Sequence, residues 1–208
     1  MININICEVE EILKQEKQNL INLMPEQFKQ KIKENAFICG GCIYSLYNNQ
    51  EPKDYDFFLR DKQLAQDLMD YFKSLDLQPY KNLLQGKYKG LHLMVSKYAI
   101  SIGKYQIIVK YIGEPVEIVE QFDFKHNQFY FENKNVQPVA DWEFLDTKRI
   151  SFNEDKARDI CGVILRLPKF VKRGMIVTKK EIAKMLNKLN ENGFDESEQE
   201  IIKYHSTY

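Results

Sequence analysis

Apolar residues recur at helical spacing from about Glu8 to Met24, where Val9, Ile12, Leu13, Leu20 and Leu23 form one stripe. Pro25 then suits the opening of a second, shorter helix that runs towards Asn35. The period changes at Ala36-Phe37-Ile38-Cys39, a short apolar run that predicts a strand. Gly40-Gly41 ends it, and Ile43, Tyr44, Leu46 and Tyr47 return to helical spacing, so the glycines are expected at a strand-to-helix turn. A polar loop over Asn48 to Lys53 leads into Asp54-Tyr55-Asp56-Phe57-Phe58-Leu59, extended in character. Asp61 is placed to cap a helix whose apolar positions are Leu64, Leu68, Phe72 and Leu75.

Beyond a turn-rich stretch, Leu91 to Ile102 and Tyr105 to Ile112 read as two strands joined by a Gly103-Lys104 hairpin loop. Pro115 to Gln121 predicts a short helix and Phe122 to Phe131 a further strand. From about Ser151 the pattern is helical to the end. Ala157, Ile160, Ile164 and Leu167 mark one helix, stopped by Pro168. Thr178 with Glu181 forms a capping box for another, closed by Gly193. The order predicts an α+β fold, a mixed sheet with flanking helices followed by a small helical C-terminal region. Its expected parts are a helical prelude over 1–35, a head over 36–147 and a helical region over 148–208.

Composition narrows the classes. No apolar run reaches the roughly 20 residues a membrane helix needs, and Met1 to Glu11 lack the order of a secretory signal, so an intracellular, cytoplasmic protein is expected with no membrane partner. Cys7, Cys39, Cys42 and Cys161 do not form a disulfide framework and are expected reduced. The Cys39-Cys42 spacing has no second ligand pair to make a zinc site, and His92, His126 and His205 have no metal-ligand spacing. Formal charge is zero overall, yet Lys148 to Lys184 holds 11 Lys/Arg against 4 Asp/Glu. That segment suits phosphate contacts, and equally a solvated helical face.

Because strand side chains alternate, Asp54 and Asp56 are expected on one face and Tyr55 and Phe57 on the other. Two carboxylates beside a diglycine turn at a helix start combine oxygen ligands for a hard cation with N–H groups for an anion.

The stretch from Gly40-Gly41 through Asn48-Asn49-Gln50-Glu51-Pro52-Lys53 to Asp54-Tyr55-Asp56, with 12 residues between the second glycine and the first aspartate, resembles the head motif of the polymerase-beta-type nucleotidyltransferases. Within them it is similar to the bacterial tRNA CCA-adding and poly(A) polymerase group, and to small stand-alone members encoded by phages and large viruses. Tyr105-Gln106-Ile107-Ile108-Val109-Lys110 resembles that family's next strand. Phe122-Asp123-Phe124-Lys125-His126-Asn127 resembles its Arg-Asp-Phe-x-x-Asn stretch, and Arg166-Leu167-Pro168-Lys169-Phe170 its Arg-x-x-Arg-Phe segment.

The resemblance implies Mg²⁺ or Mn²⁺ on Asp54 and Asp56, with Asp123 as a further catalytic candidate and a nucleoside triphosphate as substrate. Gly40, Gly41, Cys42, Lys53, Lys110 and Asn127 would bind the nucleotide. Arg166, Lys169, Lys172 and Arg173 would hold RNA, with tRNA among the partners. The implied reaction moves a nucleoside monophosphate to a hydroxyl acceptor, an RNA 3′ end being favoured, and releases pyrophosphate. Three departures bear on it: Tyr44-Ser45 where the family has Arg-Asp, Gln106 where it has a third acid, and Gln121-Phe122 where it has Arg-Arg. They keep two alternatives open, an impaired nucleotide-binding or interaction module and a toxin-like enzyme that nucleotidylates a protein.

Overall fold

The structure is a computed structural model and describes residues 5–155 and 159–206. Its elements, in chain order, are helix α1 (Ile6–Leu23), α2 (Glu26–Asn35), strand β1 (Ala36–Cys39), α3 (Gly41–Tyr47), β2 (Tyr55–Leu59), α4 (Lys62–Lys73), β3 (Gln78–Tyr80), β4 (Leu83–Tyr88), β5 (Leu91–Ser96), β6 (Ala99–Ile102), β7 (Tyr105–Ile112) and α5 (Pro115–Val119). A 3-10 turn (Lys125–Asn127), β8 (Phe129–Glu132), β9 (Asn135–Pro138), α6 (Glu143–Asp146), α7 (Ile160–Lys172), α8 (Lys179–Asn192) and α9 (Glu196–Ser206) follow. The residues form two compact units: the described residues up to Glu120 with Asn127–Val139, and Gln121–His126 with the described residues from Ala140 on.

The first unit holds one sheet in the order β3-β4-β5-β6-β7-β2-β1-β8-β9. Its strand pairs are antiparallel except β2 with β7, which run parallel. Register separates the two faces. The row Ile100, Ile107, Phe57, Ile38, Phe131, Val136 is buried throughout. One residue along, the row Ser101, Gln106, Asp56, Cys39, Tyr130, Gln137 is polar except at Cys39 and mostly half-buried or exposed. Helices pack on the apolar face: Phe72 of α4 meets Tyr88 edge-on at 5.1 Å, and Glu16 of α1 accepts a 2.6 Å hydrogen bond from the Tyr105 hydroxyl. α1 begins where the Asn5 side chain accepts from the Cys7 N–H, and α4 where Asp61 accepts from Gln63 and Leu64.

Several expected elements are corrected. The span Leu91 to Ile102 is two strands, because the Ser96 hydroxyl accepts the N–H groups of Tyr98 and Ala99 and turns the chain at Lys97-Tyr98. The stretch read as turns contains β3 and β4. Phe122 to Phe131 is not one strand: Phe124 makes an isolated bridge to Phe152, the 3-10 turn follows, and β8 begins at Phe129.

In the second unit, Pro168 lies inside α7, which continues to Lys172. The lost N–H bond costs about 3 kcal/mol, and burial of Leu167 with the edge-on packing of Phe170 on Phe124 at 4.9 Å works against that cost. Thr178 accepts from the Glu181 N–H as expected. The Glu181 carboxylate, however, is buried and accepts from the Phe152 N–H at 2.7 Å instead of completing a box. Ala157, expected in the first of these helices, lies outside the described residues.

Candidate nucleotide and metal site

The site begins with the register of β1 and β2. Cys39, the last residue of β1, is the antiparallel partner of Asp56, so the diglycine turn starts one residue beyond the aspartate. Gly40 has φ 91° and ψ −152°, a backbone region essentially reserved for glycine. This turns the chain from strand to helix within a single residue. The Gly40 N–H is taken by the Phe129 carbonyl of β8 at 3.4 Å. The donors left for an anion are the N–H groups of Gly41 and Cys42, which as first residues of α3 have no carbonyl partner within the helix.

A Cβ on Gly41 would lie 3.6 Å from Asn127 Oδ1. That oxygen is buried and has no hydrogen-bond partner among the described residues. Asn127 is therefore brought to the turn.

Asp56 lies inside β2, whereas Asp54 precedes its first residue. Asp54 is half-buried and 3.7 Å from the ammonium of Lys53, which is exposed. Gln106 on β7 is the in-register neighbour of Asp56 on its other side. A carboxylate and a carboxamide thus stand side by side next to the turn, and a second carboxylate lies two residues from the first along the chain. No group of three or more His, Cys, Asp or Glu suited to a metal occurs among the described residues. The donors present still fit magnesium, which binds through one or two carboxylates and fills its octahedron from water and substrate phosphates.

The electrostatics carry the same geometry. Burial, and then the negative charge of Asp56, push the thiols of both Cys39 and Cys42 well above the usual range. Their chemistry is that of packed side chains, not of ligands or nucleophiles.

Lys110 is four residues along β7 from Gln106, about 13 Å at the usual strand rise, with its ammonium over the rings of Tyr98 and Tyr111. Asp123 belongs to the second unit and is bonded to Arg166, at 2.8 Å to Nε, and Arg166 also pairs with Asp159 at 2.9 Å. Burial opposes the charge of Arg166, but these two carboxylates outweigh it and raise its pKa. Lys169, Lys172 and Arg173 are exposed at the C-terminal end of α7, where cations suit the helix dipole.

One contributor was missed in the sequence. Glu16 of α1 takes both the Tyr105 hydroxyl and, at 2.8 Å, the Lys104 ammonium, and the Lys104 carbonyl accepts the Tyr55 N–H at the start of β2. Burial works to raise the pKa of Glu16, and the bonds from Lys104 and Tyr105 outweigh it and lower the value. This clamp fixes the strand end between the two aspartates. Its signal is a lone acid on the apolar stripe of α1, one turn from Leu13 and Leu20.

The sheet is that of the nucleotidyltransferases. The Bacillus stearothermophilus CCA-adding enzyme in complex with CTP superimposes with a TM-score of 0.53 over 80% of this chain and 42% of that one, at 16% identity. The Thermotoga maritima CCA-adding enzyme complexed with tRNA does so with a TM-score of 0.51 over 92% and 46%, at 11% identity. By sequence, the protein "Gabija anti-defense 2" of Bacillus phage SPbetaL7 is 28% identical over 177 residues, which cover 82% of this chain and 42% of the relative. The chain thus spans less than half the length of each. The model of the family described as "Gad2: Gabija anti-defense 2 family protein" matches residues 11–155, more than half of the sequence. On that match the chain belongs to the Gad2 family and carries the nucleotidyltransferase fold at its centre.

Proposed function

We propose that this chain binds a nucleoside triphosphate with Mg²⁺ or Mn²⁺ and transfers the nucleoside monophosphate to a hydroxyl acceptor, releasing pyrophosphate. The observation that supports this most is the Cys39–Asp56 register, which sets a carboxylate against the start of the diglycine turn. Asp54 and Asp56 would hold the cation, and the N–H groups of Gly41 and Cys42 would receive phosphate oxygens. The exposed Lys53 ammonium is close enough to Asp54 to reach the same triphosphate. Asn127 would present its carboxamide to the nucleotide. A divalent cation bound there supplies charge neutralisation of the triphosphate and polarisation at phosphorus.

RNA is the favoured acceptor, held on Lys169, Lys172 and Arg173, with Arg166 and Asp123 as supporting residues. A protein hydroxyl is the alternative that suits a family named for counteracting a defence, and that biological setting is the one we infer for this chain.

Transfer of label from each NTP to total RNA or total protein, compared between wild type and Asp56→Asn, tests the reading. Label that enters one fraction and is lost in the variant supports it. Equal labelling by both proteins removes the metal site.

A second reading has its own observation. Gln106 stands beside Asp56 on β7, where the resemblance places a third acid, so the chain would bind NTP and metal without turnover. Calorimetry with NTP and Mg²⁺ that gives binding while no label is transferred selects this reading.

A further inference from the structure

Five tyrosines along the meander from β3 to β7 each have an adjacent lysine: Tyr80-Lys81, Lys87-Tyr88-Lys89, Lys97-Tyr98, Lys104-Tyr105 and Lys110-Tyr111. Antiparallel pairing sends these pairs to opposite ends of the sheet, and their fates differ by end. At the Asp56 end the rings are buried, Tyr88 donating to the Leu23 carbonyl at 2.9 Å and Tyr105 to Glu16, which also matches the Lys104 charge. Those two are structural.

At the far end Tyr80, Tyr98 and Tyr111 are 49%, 46% and 53% exposed. Register gathers them. Tyr80 lies beside Leu83, and Leu83 beside Ser96, while the Tyr98 carbonyl accepts the N–H groups of Val109 and Lys110 at 2.9 and 3.2 Å. Each ring carries an ammonium: Lys81 over Tyr80 at 5.6 Å, Lys97 over Tyr98 at 4.7 Å, and Lys110 over Tyr98 at 4.9 Å and Tyr111 at 4.8 Å. The three segments 80–83, 96–99 and 109–112 contain no Asp or Glu.

We propose that this end of the sheet is a docking surface for single-stranded nucleic acid. Half-exposed rings offer π-faces to unstacked bases of any sequence, and the interleaved lysines neutralise the phosphates between them. As a base takes a ring face, the ammonium resting on it moves to a phosphate, so no charge is stranded. An acidic peptide would satisfy the lysines but leave three rings in water. A duplex would meet the lysines but keep its bases away from the rings. The surface is separate from the proposed nucleotide site: Gln106 and Lys110 are about 13 Å apart along β7.

The test is fluorescence anisotropy of a labelled oligouridylate of about 12 nucleotides, without NTP or metal, so that its result is independent of whether transfer occurs. Wild type is expected to bind saturably, with a log–log salt slope of about −2 for three phosphate contacts. Tyr98→Ala and Tyr111→Ala should each weaken binding about tenfold, Tyr98→Phe should retain it, and Lys97→Gln with Lys110→Gln should lower the slope. These positions are exposed, and unchanged circular dichroism of the variants would establish that they fold. No saturable binding, equal binding by the alanine variants, or equal competition by polyglutamate or by a duplex of the same length overturns the proposal.

Discussion

Asp56 and Gln106 are in-register neighbours on parallel strands, so a carboxylate and a carboxamide stand side by side on the polar face of the sheet. Gln106→Asp sets two carboxylates on adjacent strands, which repel in the absence of a cation. The variant is expected to melt below wild type without metal and to gain more than wild type on adding Mg²⁺. A thermal unfolding series with and without Mg²⁺ checks this, and an equal metal response in both proteins contradicts a cation at this row.

The two glycines of the turn differ in what they tolerate. Gly40→Ala forces a side chain into a glycine-only conformation and should cost about 1–3 kcal/mol, read from the urea midpoint. Gly41→Ala meets Asn127 Oδ1 at an ordinary 3.6 Å. It should leave stability unchanged or raise it by up to about 1 kcal/mol, while lowering NTP affinity in calorimetry.

His126 is buried between Phe124 and Phe170, and burial pushes its pKa down to about 3. The unfolded chain binds this proton near pH 6.5, so below that value the unfolded state holds more protons than the folded one. Stability is fully present above about pH 6.5 and falls as pH drops towards 3, by as much as about 1.4 kcal/mol per unit. Urea unfolding at pH 7 and pH 5 should show a smaller loss for His126→Phe than for wild type.

Glu181 is buried and holds the Phe152 N–H at 2.7 Å. Glu181→Ala leaves that donor without its acceptor and should cost about 1–3 kcal/mol. Glu181→Gln keeps a carbonyl oxygen in place and should recover much of the loss in the same equilibrium measurement.

Legibility along the chain followed local punctuation. Ala36-Phe37-Ile38-Cys39, the Asp61 cap and the Gly103-Lys104 hairpin all carry their boundaries in one or two residues, and each is where the pattern put it. The Lys97-Tyr98 turn has no glycine or proline, because the Ser96 hydroxyl makes it, so alternation ran through it unbroken. Pro168 failed as a stop because the packing of α7, absent from any local window, outweighs a missing hydrogen bond. At the site, Gly41 and Asn127 are 86 residues apart in sequence, and only the resemblance linked them. Glu16 escaped notice because its partners, Lys104 and Tyr105, reach it through the fold.

The four thiols of the chain divide three to one: Cys39, Cys42 and Cys161 are enclosed and only Cys7 is exposed. A maleimide dye should therefore label the folded protein once, near its beginning, and every further adduct must follow an opening event. Because two of the shielded thiols bracket the diglycine bend, the rate of their modification times the breathing of that bend, and a bound nucleotide should slow it without touching the label at Cys7.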